Sequence, residues 1–334
     1  MRLIVGLSAY RLVGLSARTL GVLAAALIIG GCRVETPEQH ATQAGRAAGA
    51  SFDATKWRAP ADSAIPDDSL GASIRRGLAL FTYTTDSLPG YAPGEITCSN
   101  CHLNGGRNVE SAPLTGAFVR YPRYLERSGA VVGIADRINY CFTRSLAGNR
   151  LPDTSREMQD MIAYLAWLST GVPVGAGESL PGAEGLPPLP QLTGNREDGA
   201  AVYAKYCVAC HQADGSGTRA LHPRVPALWG PKSFSVGASM TRASKGASFI
   251  WHNMPLGAGK SLTHQQAYDV AAYIAHQPRP DSPGKTNDWP NGGAPRDVPY
   301  ATAGREASNP PPRLLRRATP ERALVPAPRK AGRS

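Results

Sequence analysis

The sequence predicts a mainly α-helical protein that contains two copies of one structural unit. The segments CSNCH, at residues 98–102, and CVACH, at residues 207–211, share the pattern Cys-x-x-Cys-His. A shift of 109 residues superimposes these two segments, and it also superimposes Asp160 on Asp269. Apolar residues recur at helical spacing near both ends of each unit. A repeat of this length indicates two tandem domains.

The N-terminus has the pattern of an export signal. Three arginines precede an apolar stretch at residues 20–29, and two glycines and Cys32 follow it. This pattern is typical of a secretory signal, and the stretch is too short to span a bilayer. Small residues before a cysteine resemble a bacterial lipoprotein cleavage site. We therefore expect a lipoprotein-type signal at 1–32 with lipid on Cys32, a flexible linker at 33–55 and a periplasmic, membrane-anchored protein; an ordinary signal peptide or inner-membrane anchor is the alternative.

Cys-x-x-Cys-His is the attachment signature of c-type haem, in which two thiols form thioethers and the histidine ligates the iron. A single match also fits a redox dithiol or half of a zinc site. Two matches in an exported chain favour haem, because unpaired dithiols oxidise outside the cytoplasm. The sequence therefore predicts two cytochrome c domains, at 56–170 and 191–277, each wrapping one haem bound through its cysteines: Cys98 and Cys101 in the first, Cys207 and Cys210 in the second.

Each unit begins and ends with a predicted helix. The apolar positions of the two opening helices are Leu70, Ile74, Leu78 and Phe81 in the first unit, and Val202, Tyr203 and Tyr206 in the second. The closing helix of the first unit has Met158, Met161, Ile162, Leu165 and Leu168 on one face. In the second unit Thr263 and Gln266 form a capping box at the start of the closing helix, and Pro278 follows its end.

The haem iron needs a second axial ligand, which in cytochromes c is usually Met or His. In the second unit Met254 lies in a loop before the last helix, so it is the predicted ligand opposite His211. His252 is the main alternative, and His222 is a weaker one. A methionine buried only for packing is a further alternative.

The first unit has no Met or His between His102 and its closing helix. Subtracting the repeat offset from Met254 leads to Ser145, one helical turn after Cys141. Cys141 is also the one cysteine of six that neither lipid nor haem attachment explains. We therefore predict Cys141 as the second ligand of haem 1, opposite His102, with an inert buried thiol as the alternative.

Composition separates the domains from the segments around them. Residues 171–190 are rich in Gly and Pro, as in an interdomain linker. Residues 278–334 are rich in Pro and Arg, and we predict that they are disordered. The chain has a formal net charge of +11. Because export argues against nucleic acid as a partner, this charge favours anionic lipid, an acidic redox partner or an anionic substrate, with simple solubility as the alternative.

Four segments resemble the dihaem thiosulfate dehydrogenases of sulfur-oxidising and tetrathionate-respiring bacteria: KWRAP, CSNCHLNGGR, RINYCFTRSLAGNRLP and FIWHNMP. The resemblance ends near Gln277, so the lipid site and the tail lie outside it. It implies the ligand pairs already named for haem 1 and haem 2. It also implies active-site residues at Arg127, Arg137 and Ser145. Some members have a lysine where this chain has Asn253, so a switch to a lysine ligand is not expected here.

The resemblance implies that the protein oxidises two thiosulfates to tetrathionate, or catalyses the reverse, with a soluble cytochrome c or a similar protein as the electron acceptor. Thiosulfate is a dianion, so joining two of them requires cations and hydrogen-bond donors. Arg127, Arg137 and Ser145 fit this requirement, and Arg144 is an additional candidate. The neighbouring Arg120 and Arg123 are interpreted as part of a solvated face.

Two other classes of function fit the same motifs. One is an electron-transfer cytochrome c subunit that has no substrate of its own, in which Cys141 is inert. The other is a thiosulfate transferase that acts on a cysteine of a carrier protein. An assay with thiosulfate distinguishes the three: an electron carrier shows no activity, a transferase needs its carrier protein, and a dehydrogenase needs only an electron acceptor.

Overall fold

The computed structural model describes residues 52–221, 224–303, 305 and 313–315. The predicted signal, Cys32 and most of the predicted linker at 33–55 lie outside these residues, as do His222 and residues 316–334. All described residues belong to one compact unit. None of the helices in the described ranges is long and apolar enough to cross a membrane.

The described ranges are mainly helical. The α-helices are α1 (Ser69–Thr82), α2 (Thr84–Ser87), α3 (Leu103–Gly106), α4 (Ile134–Tyr140), α5 (Arg156–Trp167), α6 (Arg196–Tyr206), α7 (Val208–His211), α8 (Ala243–Asn253) and α9 (His264–His276). A π-helical turn, Cys141–Ser145, directly continues α4. Two small sheets complete the fold: β1 (Arg123–Leu125) pairs antiparallel with β2 (Ala130–Val132), and β3 (Arg279–Pro280) pairs parallel with β4 (Leu314–Leu315).

The four helices predicted at the ends of the two units are present as α1, α5, α6 and α9. The predicted capping box of Thr263 and Gln266 is present at the start of α9, and Ser155 caps the N-terminus of α5, where its hydroxyl accepts from the amide of Met158. One detail of the prediction is wrong. Leu70 is 58% exposed because it lies in the first turn of α1, before the face that packs on α5.

In each unit the first and last helices cross at a glycine. A Cβ atom added to Gly77 of α1 would overlap the carbonyl oxygen of Asp160 in α5. A Cβ atom added to Gly199 of α6 would overlap the carbonyl oxygen of Asp269 in α9 in the same way. Asp160 and Asp269 are the two residues that the 109-residue shift superimposes. The repeat in the sequence is therefore a repeat of one helix crossing.

The two units share one hydrophobic core. Ile74 and Tyr164 of the first unit belong to the same buried cluster as Tyr203 and Val270 of the second. The loop between α7 and α8 packs on the first unit, where the amide of Ser235 donates to the carbonyl of Ser145 at 3.0 Å. Because of this packing, side chains of the second unit contribute to the cavity of the first.

The prediction of a disordered tail from residue 278 is wrong for residues 278–303. Trp289, Val298 and Tyr300 are buried with Val236 in a cluster of their own, and the carboxylate of Asp288 is 2% exposed. The sequence of this stretch lacks a helical or strand period, so its few apolar residues gave no pattern to detect. We call residues 281–303 the C-terminal segment.

The helix crossing gives a prediction about stability. Replacing Gly77 with Ala should reduce the free energy of unfolding of the haem-loaded protein by about 1–3 kcal/mol, because the added methyl group forces α1 away from α5. This loss outweighs the gain of up to about 1 kcal/mol that alanine brings to a helix interior. Thermal or denaturant unfolding measures the difference.

Gly90→Ala is the matched control, since no atom lies within 4 Å of a Cβ built at Gly90. We expect this variant to unfold like the wild type. Equal stability of the Gly77 and Gly90 variants would show that the two helices do not make the close approach described.

Candidate functional site

The first Cys-x-x-Cys-His motif forms a tight turn at the edge of a cavity. Thr97 and Asn100 close a capping box around the 3₁₀ turn Cys98–Asn100. The amide of His102 then donates to the carbonyl of Cys98 at 3.0 Å, which continues the turn by one helical step. Both thiols and the imidazole therefore line the same cavity.

This cavity has a volume of about 560 Å³, within the range of roughly 300–1,000 Å³ that small-molecule and cofactor sites occupy. Its inner wall is apolar and includes Phe81, Ile96, Leu114, Ile138, Phe142 and Leu165. Its outer wall is polar and basic. All the site residues predicted for the first unit line it: Cys98, Cys101, His102, Arg127, Arg137, Cys141 and Ser145.

The two motif histidines have the same hydrogen-bond arrangement. Nδ1 of His102 lies 2.6 Å from the carbonyl oxygen of Ala112, and Nδ1 of His211 lies 3.1 Å from that of Pro226. A carbonyl oxygen only accepts, so Nδ1 must carry the proton in both rings. This leaves Nε2 as a lone-pair donor, which is the usual arrangement of a metal-ligating histidine.

Three of the four motif cysteines, Cys98, Cys101 and Cys207, do not have the lowered pKa of a redox-active thiol. Burial raises the pKa of Cys98 and Cys101 to about 12, and that of Cys207 to about 11. Redox-active Cys-x-x-Cys pairs instead have depressed pKa values, because the thiolate is the reactive form. Protonated thiols in an apolar wall fit covalent attachment to a hydrophobic group better.

Cys141 lines the same cavity, at the point where α4 changes into the π-helical turn. Arg137 precedes it by four residues, and its Nη1 donates to the Cys141 sulfur at 3.2 Å. Burial alone raises the pKa of Cys141, but the charges and hydrogen bonds of Arg137 and His102 lower it to about 6. Cys141 is therefore a sulfur of lowered pKa that lies beside Arg137 and His102.

The basic outer wall contains more arginines than the sequence interpretation assigned to it. Arg120 and Arg123, interpreted above as a solvated face, both line the cavity. Arg120 donates to the carbonyl of Ala183 at 2.8 Å, and Arg123 pairs with Glu178. Arg144, named above as an additional candidate, also lines it and stacks on the ring of Tyr140 at 4.0 Å.

Two further features of this cavity have no counterpart in the sequence interpretation. Phe234 and Met240, from the loop between α7 and α8, line it although they belong to the second unit. The guanidinium groups of Arg127 and Arg144 both pair with Asp288 of the C-terminal segment. Sequence patterns place such residues in separate parts of the chain, and only the tertiary packing brings them together.

The second motif lies at the end of α6. Cys207 is its C-cap, and Cys210 and His211 lie in the short helix α7. Met254 directly follows α8, with the neighbouring Asn253 buried. The amide of Asn253 donates to the carbonyl of Glu110 at 2.9 Å and its oxygen accepts from Asn108 at 3.0 Å. The chain before Met254 is thus tied to the first unit.

The residues fit two haem groups. Besides the thiols and the histidine Nε2 atoms, the fully buried Arg279 stacks on Phe234 at 4.6 Å, beside the first cavity. Its Nε and Nη1 have no partner among the described residues, and burial lowers its pKa to about 9. A buried cation needs an acidic partner, which a haem propionate supplies.

Comparison with known families agrees with this arrangement. Residues 91–174 match the SoxA/TsdA cytochrome c domain, and residues 196–278 match the cytochrome c domain. The first range begins after α1 and covers the first motif, Cys141 and α5, and the second range covers α6 to α9. Each range carries motif residues that fit a covalent haem. The protein is therefore a c-type cytochrome with two covalently bound haems.

Its relatives define the family more narrowly. The chain is 40% identical over 242 residues to a thiosulfate dehydrogenase of Psychrobacter arcticus, covering 72% of this chain and 73% of that protein. It is 42% identical over 231 residues to one of Allochromatium vinosum, covering 66% and 83%. The chain belongs to the thiosulfate dehydrogenase family.

A solved structure supports the same fold. The thiosulfate dehydrogenase TsdBA of Marichromatium purpuratum is 34% identical, with a TM-score of 0.64 over 70% of this chain. The present chain spans about half of that longer chain, 51% of it.

Proposed function

We propose that this protein oxidises two thiosulfate ions to tetrathionate at the first cavity and passes the two electrons to an external cytochrome. The observation that carries the proposal is the pairing of the buried Cys141 sulfur with the Arg137 guanidinium at 3.2 Å. The pair lies in one cavity with His102 and the thiols of the first motif. A cationic pocket beside a haem attachment site is what the oxidation of a small sulfur anion requires.

The residues that would hold the haems follow from the same arrangement. For haem 1 these would be Cys98 and Cys101, as thioethers, with His102 and the Cys141 thiolate as ligands of the iron. For haem 2 they are Cys207 and Cys210, with His211 and Met254. The lowered pKa of Cys141 supports its role, because the thiolate is the form of cysteine that binds metal.

The reaction 2 S₂O₃²⁻ → S₄O₆²⁻ + 2 e⁻ brings two dianions together, so the site must offset their repulsion. Arg127, Arg137 and Ser145 line the cavity and supply fixed N–H and O–H donors. Such donors stabilise negative charge most effectively in a buried, water-poor site, where they need no reorganisation during the reaction. Arg144 extends the same cationic wall.

When bound, the two haems supply one-electron acceptors, so the protein can store both electrons of one turnover. A thiolate ligand favours a low potential and a methionine ligand a higher one. Electron transfer from the first unit to the second would therefore be downhill, and a soluble cytochrome c would accept the electrons from the second unit. The hydrogen bonds of Asn253 to Asn108 and Glu110 hold the chain next to Met254 against the first unit, close to the proposed path of the electrons.

Domains of the cytochrome c class are typical of the periplasm. We propose that this protein also acts there, with lipid on Cys32 as its membrane anchor. The support for the anchor is the sequence pattern alone, since Cys32 lies outside the described residues.

Steady-state turnover of the purified haem-loaded protein tests the reaction. With thiosulfate and oxidised cytochrome c as the only additions, we expect one cytochrome reduced per thiosulfate consumed and half an equivalent of tetrathionate formed. A requirement for a carrier protein would instead identify a transferase. If thiosulfate causes no reduction of cytochrome c, the remaining interpretation is an electron-transfer cytochrome that has no substrate of its own.

Replacing Cys141 tests its role directly. Cys141→Gly should leave both haems attached, because neither thioether is changed, but it should alter the spectrum of one haem and nearly abolish thiosulfate oxidation. Cys141→Met should give that haem a higher potential without full activity, because a thioether carries no negative charge. Haem content, redox titration and turnover are the measurements. Normal turnover in both variants would mean that Cys141 is only a packing residue.

A further inference from the structure

One carboxylate holds two arginines of the first cavity at once. Oδ2 of Asp288 accepts from Nε and Nη2 of Arg127 at 3.0 and 2.8 Å. Oδ1 of the same residue accepts from Nε of Arg144 at 3.0 Å and lies 2.7 Å from its Nη2. Both carboxylate oxygens are thus engaged in two-point contacts, which fix the plane and direction of each guanidinium.

Further hydrogen bonds connect this carboxylate and Arg127 to their neighbours. The Tyr300 hydroxyl donates to Oδ2 of Asp288 at 2.8 Å and accepts from Nη2 of Arg127 at 2.7 Å. Nη2 of Arg127 also reaches the carbonyl oxygen of Gly237 at 2.6 Å. Asp288 is 2% exposed, whereas the arginine side chains are 20% and 18% exposed. The carboxylate therefore lies behind the arginines, and water screens the contacts little.

The C-terminal segment is itself held against the first unit at this point. The amide of Trp289 donates to the carbonyl of Arg127 at 2.9 Å, and the Arg127 guanidinium lies 5.0 Å from the centre of the indole ring. Trp289 adopts a φ of 54°, a conformation that a bulky side chain avoids unless its surroundings impose it. These contacts fix the position of Asp288 relative to the cavity.

We propose that Asp288 is a positioning residue of the thiosulfate site, which aims the guanidinium groups of Arg127 and Arg144 at the bound anion. The inference rests on the proposed function, because it takes the anion to be thiosulfate. The C-terminal segment then completes a site whose other residues all precede it in the chain. Asp288 itself does not touch the substrate.

A positioning role and a simple charge effect predict opposite results. Asp288 offsets part of the positive charge of the two arginines, so its loss makes the pocket more positive and should strengthen anion binding if charge alone matters. If orientation matters, its loss frees two guanidinium groups, and binding and turnover of thiosulfate both weaken. A misplacement of about 1 Å can change a rate by about a hundredfold.

The test uses Asp288→Asn in the full-length, haem-loaded protein. Asparagine keeps the shape but presents an N–H₂ group to one of the arginines. We expect kcat/KM for thiosulfate to fall by about tenfold to a hundredfold, with a weaker dissociation constant for thiosulfate in calorimetry. Affinity and kcat/KM at or above the wild-type values would overturn the inference.

Asp297→Asn is the matched control. Asp297 lies in the same segment, but it pairs with Arg242 at 2.9 Å and with Ser244, and neither of these lines the first cavity. We expect it to lower the thermal stability while leaving kcat/KM within about twofold of wild type. If kcat/KM falls equally in the two variants, the role of Asp288 is only structural, and the inference is overturned.

Tyr300→Phe provides a second, milder variant in case Asp288→Asn yields no haem-loaded protein. It removes one hydroxyl from the carboxylate and leaves both ion pairs, so kcat/KM should fall severalfold with little change in haem content. An unchanged kcat/KM in this variant would then decide against the inference.

The two readouts separate this inference from the proposed function. If the wild type binds thiosulfate but does not turn it over, the proposed function fails, and the dissociation constants alone decide the role of Asp288. If the wild type neither binds nor oxidises thiosulfate, both are overturned.

Discussion

The contact between the Arg137 guanidinium and the Cys141 sulfur is the interaction on which the first cavity depends. A buried sulfur without a cationic neighbour is a neutral, inert thiol. Cys141 follows Arg137 by four positions, about one helical turn, and the helix widens into a π-turn at Cys141, so both side chains face the same space. Asn139 lies between them in the chain and is fully buried. Its side-chain N–H₂ group donates to the carbonyl of Leu151, and its side-chain oxygen accepts from the amide of Leu151, which holds the turn in place.

The rest of the cavity balances charge around that contact. Five arginines line it, yet most have a specific partner: Arg123 pairs with Glu178, Arg120 with a carbonyl group, and Arg127 and Arg144 with Asp288. A wall of paired arginines keeps positive charge in place without an uncompensated buried cation. In the proposed function, this wall is where two thiosulfate dianions meet.

The helical framework follows from local patterns and could be predicted. Apolar spacing, the Thr263 capping box and the 109-residue repeat gave α1, α5, α6 and α9 and the two cytochrome c units. The motif cysteines and Cys141 could be predicted as site residues, because their types and spacing carry the chemistry. Asp288 could not be predicted, because an acidic residue in a Gly- and Pro-rich stretch has no pattern that shows its partners. The contribution of Phe234 and Met240 to the first cavity also depends on packing between the units.

The central claim is that a thiolate from Cys141 ligates the haem of the first unit, next to the arginines that we propose bind thiosulfate. Electron paramagnetic resonance of the fully oxidised, haem-loaded protein tests this claim most directly. The account predicts two low-spin ferric signals, one typical of His/Met ligation and one typical of His/thiolate ligation. Two signals of the His/Met type, or a high-spin signal from the first haem, would contradict it.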